Sequence, residues 1–150
     1  MARLQWRIPE GLRVLPDGTW YVGELPVAHP ASLLYFKAHL VFDEEVAYVD
    51  DGKRRVPVRI EGPPLRVLSL RVDPLRGTVE AFLDDGSVET VKAGSLAMDE
   101  ATGRFEFLAR SGRVRALLSR SAHQALLEHA DEEGGEFFLR VGPQRIAIRT

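Results

Sequence analysis

Apolar positions in this chain alternate with polar ones far more often than they recur at helical spacing. Leu12 to Leu15 and Thr19 to Gly23 read as a hairpin across Pro16-Asp17-Gly18, with Trp20 and Val22 on one strand face and Tyr21 on the other. Val46 to Val49 and Arg54 to Ile60 read as a second hairpin around Asp50-Asp51-Gly52. Within it Val56, Val58 and Ile60 alternate inward. Pro57 cannot donate to a ladder, so this strand is expected at an edge. After Gly62-Pro63-Pro64, Leu65 to Val72 is apolar on both faces. Thr78 to Leu83 pairs with Ser87 to Lys92 across Asp84-Asp85-Gly86, Leu96 to Met98 with Arg104 to Leu108, and Glu136 to Val141 with Arg145 to Arg149. Trp6 and Ile8, in the first eleven residues, are expected to dock on the folded part.

Two stretches lack strong strand signals. His29 to Phe42 predicts a helix, with Pro30 at the first helical position, where its missing N–H costs nothing. Ser111 to Ala130 predicts a short helix, a kink, then a helix of about three turns. Val114, Leu117 and Leu118 share a face in its first part. Ser119 or Ser121 can cap the second, and Ser121 with Gln124 fits a capping box. Asp131 to Gly135 stops it.

These elements imply an α+β fold of antiparallel hairpins with one helical element per half. The break at Gly62-Pro63 divides the chain into a first half, 1–62, and a second, 63–150, packed as one compact unit. The halves read as an internal repeat. Laying Pro30 on Ser121 brings Tyr35 onto Leu126 and Phe36 onto Leu127. After a shift of one residue, Gly52 meets Gly142 and Arg55 meets Arg145.

The chain has 150 residues, 45% of them hydrophobic and 28% charged, a composition that buries a core in water. A net charge of −2 gives no basic field for nucleic acid. No apolar run approaches the ~20 residues of a membrane span, and the N-terminus lacks a signal-peptide core. The cytoplasm is the expected location. The absence of cysteine excludes disulfides, thiolate catalysis and cysteine metal sites.

Asp17-Gly18-Thr19-Trp20-Tyr21 followed by Pro26 and His29-Pro30 resembles the opening of the bacterial family catalogued as domain of unknown function 1285. Arg59-Ile60-Glu61 before Pro63-Pro64 is similar to its central strand, and Arg110-Ser111-Gly112 through Leu117, Ser119 and Arg120 to its second helical region. His29 stands where the family has Arg, and Ser121 where it has Pro. The resemblance implies two similar halves and a role in signal transduction, without an established activity.

His29, His39, His123 and His129 show no metal-ligand spacing, and no metal site or cofactor is expected. Ser119, Ser121 and His123 invite a nucleophile-and-base reading, but no elbow motif or orienting carboxylate accompanies them. No catalytic residue is assigned, and a small hydrolase using His123 is the alternative. Arg110, Arg113, Arg115 and Arg120 cluster at the entrance and kink of the central helix, where guanidinium groups suit carboxylate or phosphate. The leading expectation is therefore a non-catalytic regulatory or binding module. It holds a small anionic ligand, or a partner's acidic segment, in a crevice between the halves. Arg113, Arg115 and Arg120 supply charge, His123 a hydrogen bond and Trp20 an aromatic wall, with His29 in the same set. A scaffold that dimerises by pairing an edge strand, such as Arg54 to Ile60, is the third reading.

Overall fold

A computed structural model describes residues 7–150; Trp6 lies outside the described residues, while Ile8 is buried. The chain is mixed α+β, mostly strand, and divides into two compact units, Met1–Gly62 and Pro63–Thr150.

In the first unit, β1 (Leu12–Val14), β2 (Trp20–Val22) and β3 (Leu25–Pro26) form one antiparallel meander. After helix α1 (Pro30–Ala38), β4 (Leu40–Asp43), β5 (Val46–Asp50) and β6 (Arg55–Ile60) form another. Parallel pairing of β1 with β6 joins the two in the order β3-β2-β1-β6-β5-β4. Alternation sends Leu12, Val14, Ala47, Val49, Val56 and Val58 into the core with Trp20 and Phe36, whose rings stack at 6.2 Å.

Two expectations fail here. The helix does not reach Phe42: it ends at Ala38, His39 caps it, and Leu40 to Asp43 turn to ladder pairing with β5. The β-branched and aromatic run Leu40-Val41-Phe42 suits a pleated surface better than a last helical turn. Nor is β6 an edge strand, since it lies between β1 and β5. Pro57 is tolerated there because pairing with β1 begins only at Val58, so no ladder donor is missed at position 57. The same pairing leaves β6 no free edge for strand addition.

The β4–β5 turn places Glu44 at φ 57. A left-handed L-residue costs roughly 1–2 kcal/mol, partly offset in any Gly replacement by the entropy glycine loses on folding. Glu44→Gly is expected to stabilise the protein by about 0.5 kcal/mol, read as a raised denaturant midpoint with unchanged slope. A lowered midpoint overturns this.

The second unit opens with β7 (Leu65–Asp73), β8 (Thr78–Leu83) and β9 (Val88–Thr90), then β10 (Leu96–Asp99) and β11 (Arg104–Leu108). A four-residue turn, α2 (Ala109–Gly112), leads to β12 (Val114–Leu118) and helix α3 (Arg120–His129). β13 (Ala130–Glu133), β14 (Glu136–Val141) and β15 (Gln144–Arg149) complete it. The sheet order is β13-β14-β15-β10-β11-β12-β7-β8-β9.

The short helix expected at the start of Ser111 to Ala130 is instead strand β12. Val114, Ala116 and Leu118 are buried with period two, and the strand pairs with β11 and β7. The capping serine is Ser119, whose hydroxyl accepts the Ala122 N–H at 3.1 Å and donates to the Leu68 carbonyl at 2.8 Å. Its cap position starts α3 directly at Arg120, and the run before it, Val114 to Leu118, is strand, so no kinked helix forms there. The segment after α3, expected only to stop the helix, is strand β13. It turns into β14 through Gly134 and Gly135 at φ 63 and 84, the pattern of a type I′ hairpin.

This sheet rolls. β9 and β10 stand five places apart in the order, about 24 Å at 4.8 Å per strand if flat. Yet only Val91 to Ser95 joins them, and that link contains a tight turn closed by Ser95 N–H to the Lys92 carbonyl at 3.0 Å. The link is instead fastened to β11 by Leu108 N–H to the Ser95 carbonyl at 2.7 Å. Val67, Val79, Ala81, Phe107, Ala109 and Ala116, all at most 1% exposed, fill the inside of the roll.

Candidate functional site

Within each unit, the residues proposed from the sequence do not gather into one site. Trp20 is 1% exposed and stacked on Phe36, so its ring is enclosed rather than a ligand wall. His29 is the exposed N-cap of α1 and makes no side-chain cap. In the second unit, a strand separates Arg113 from Arg120. Val114 to Leu118 spans about 13 Å at 3.3 Å per residue, against about 6 Å in a helix. The two guanidinium groups therefore start from opposite ends of β12. Arg115 is committed to Glu106 on β11 through two parallel hydrogen bonds of 2.8 and 2.6 Å. Hydrogen bonding to Glu106 is also what raises the Arg115 pKa above its ordinary value. His123 packs its ring 5.4 Å from Phe105. Phe105 and Glu106 are neighbours on one strand, so His123 and the Arg115 pair lie on opposite faces of the sheet.

A different constellation forms where the roll fails to close. Glu89, Thr90, Lys92, Gly94, Ser95, Ser111 and Arg149 line a cleft of about 460 Å³ whose floor includes Phe107. Two carboxylates hold one of its walls. The Arg110 amide donates to both Glu89 oxygens at 3.1 Å, and its guanidinium donates to Asp85 at 2.9 Å. The Asp85 side chain is 4% exposed. Burial alone raises its pKa, but hydrogen bonds from the Ser87 hydroxyl, the Arg110 guanidinium and the Ser87 amide outweigh it and hold the carboxyl below its usual range. The turn so held is strained: Arg110 and Ser111 sit at φ 51 and 60, left-handed values that L-residues rarely adopt.

Opposite in charge are Lys92 and Arg149, which make no ion pair among the described residues. The stem of Arg149 lies along the 92–95 link, its Cγ and Cδ 3.9 Å from where a side chain on Gly94 would begin. That link is anchored to β15 by Gly94 N–H to the Ala147 carbonyl at 3.0 Å. Sequence reading missed Lys92, Glu89 and Arg149, because only the rolled sheet brings them together. Arg110 belonged to the arginine cluster, but nothing local pointed to Asp85 and Glu89 as partners.

The structure is similar to a DUF1285 family protein from Silicibacter pomeroyi DSS-3, with a TM-score of 0.73 and 22% identity, over 95% of this chain and 81% of that one. The chain has the fold of the DUF1285 proteins. A DUF1285 family protein from Shewanella baltica OS155 is similar as well, with a TM-score of 0.62 and 11% identity, over 79% of this chain and 91% of that one. The DUF1285 likeness agrees with the resemblance carried by Asp17 to Tyr21 and Arg110 to Gly112. No protein-family model and no curated protein matches the sequence. Among the described residues, no helix is long and apolar enough to cross a membrane.

Proposed function

We propose that this chain is a non-catalytic binding or regulatory module that takes an anionic group, of a small ligand or of a protein segment, in the cleft of its second unit. The observation that carries this reading is the pair of unneutralised cations, Lys92 and Arg149, on one recess that also exposes the Ser111 and Thr90 hydroxyls. Guanidinium and ammonium groups beside hydroxyl donors suit a carboxylate or phosphate. Glu89 lines the same recess and keeps its charge, but among the described residues it makes no ion pair with either cation.

The two units are, in the same proposal, an internal repeat. Their matching strand orders support it, β3-β2-β1-β6-β5-β4 against β12-β11-β10-β15-β14-β13. So does a recurring trio: Arg55 over Tyr48 and paired with Asp43, Arg145 over Phe138 and paired with Glu133. Aligning the helices on their first residues, Pro30 and Arg120, brings buried Phe36 onto buried Leu126.

Titration calorimetry with inorganic phosphate, and separately with citrate, tests the binding site. A saturable heat is expected from at least one of them, weakened about tenfold or more in Lys92→Ala/Arg149→Ala without loss of thermal stability. No heat from either anion, or equal affinity in the variant, overturns the reading.

A further inference from the structure

Edge strand β9 contributes Glu89 and Thr90 to the lining of the cleft. Among the described residues β9 pairs only with β8, in the register Glu80↔Thr90, Ala81↔Glu89 and Phe82↔Val88. Flanking bonds run from Leu83 N–H to the Ser87 carbonyl at 2.9 Å and from Val91 N–H to the Val79 carbonyl at 2.8 Å. Hydrogen-bonded pairs alternate along an antiparallel ladder, so Glu89 turns its N–H and C=O toward β8. Val88 and Thr90 turn theirs outward, and both residues are exposed. Neither has a backbone partner on that side among the described residues.

The opposite edge of the same sheet is guarded. β13 carries Asp131, Glu132 and Glu133, charges that discourage strand addition. β9, Val88-Glu89-Thr90, ends two residues before Lys92. A chain laid parallel to β9 therefore runs its carboxyl end toward Lys92 and Arg149.

We infer that the occupant of the cleft is the extended C-terminal segment of a partner protein. It adds as a strand to β9 through the Val88 and Thr90 backbone, with its free carboxylate on Lys92 and Arg149. This rests on the reading of the cleft as an anion site and names the molecule that bears the anion. Main-chain pairing supplies affinity on an exposed edge, and the two cations select a chain end over an internal segment. The complementarity is one of charge as well as of hydrogen bonds.

The test is selection of the full-length protein against a library of random peptides displayed with free carboxyl ends, followed by titration of the enriched sequences as synthetic peptides. Enrichment is expected. Binding should fall about tenfold or more when the terminal carboxylate is amidated, and equally in Lys92→Ala/Arg149→Ala. N-methylation of the peptide residue set against β9 should weaken it similarly, and the Val88 and Thr90 amide resonances should move on binding. If no sequence enriches, or amidated and free peptides bind alike, the strand-addition inference is wrong; binding of inorganic phosphate that depends on Lys92 and Arg149 would still leave the anion site standing. If neither phosphate nor citrate binds, the anion site falls, and with it the placing of the terminal carboxylate on Lys92 and Arg149.

Discussion

Gly62→Ala is expected to destabilise the first unit by about 3 kcal/mol, the upper end of what overpacking costs. Gly62 closes that unit. Glu61 N–H donates to the Val14 carbonyl at 2.8 Å, which draws the end of β6 against the turn after β1. A Cβ built on Gly62 would overlap the carbonyl oxygens of both Leu15 and Pro16, and its three nearest atoms are all backbone. No side chain can swing away. The Leu15 carbonyl already accepts the Gly18 N–H at 2.9 Å, and its N–H donates to the Thr19 carbonyl at 2.9 Å, so the turn cannot retreat without breaking its own bonds. Calorimetry should show the melting temperature of the first unit lowered by on the order of 10 °C. A shift of only a degree or two would mean that the turn yields, and that the close approach is no constraint.

The strands bounded by turn signals were legible in the sequence. The β7–β8–β9 and β14–β15 hairpins follow from alternation and Gly-containing turns, because each is decided by its own residues. Misreadings arose where a short segment satisfied two periods at once. Val114, Leu117 and Leu118 fit a helical face, yet Val114, Ala116 and Leu118 fit a strand equally well. The choice was made by partners on β7 and β11 that lie far away in sequence. The helical reading left out Ala116, which is buried at 0% exposure and completes the strand pattern. That one error created the arginine cluster, since a helix would have gathered guanidinium groups that the strand holds apart. The same kind of error extended α1 through Leu40-Val41-Phe42. Lys92 and Arg149 meet only through the roll of the sheet, which no local signal carries.

The left-handed turn is where folding and binding meet, and it yields the other large effect. Arg110→Ala leaves the Asp85 carboxylate, 4% exposed, with the Ser87 donors alone. Breaking a fully buried pair costs 3–5 kcal/mol. Arg110 is itself 28% exposed, so about 2–3 kcal/mol is expected once solvent screening is allowed for. Arg110→Gly loses the same ion pair but relieves the backbone at φ 51, worth roughly 1 kcal/mol after glycine's entropy is counted. The order of stability should therefore be wild type, then Arg110→Gly, then Arg110→Ala; equal stability of the two variants would show that the turn stores no strain. Acid separates the electrostatic part from the rest. Asp85 has its folded pKa lowered, chiefly by Ser87 and Arg110 working against burial. Its contribution is thus fully present above the unfolded value near 3.9 and is lost as pH falls through the folded value. Denaturant unfolding from pH 7 downward should show the gap between wild type and Arg110→Ala closing below about pH 4. A gap that stays constant would assign the loss to packing of the arginine stem. Because Glu89 grips the Arg110 amide rather than its side chain, Arg110→Gly should keep the cleft wall in place. Phosphate affinity in that variant should then match wild type, which would separate the role of Arg110 in holding the turn from that of Lys92 and Arg149 in holding the anion.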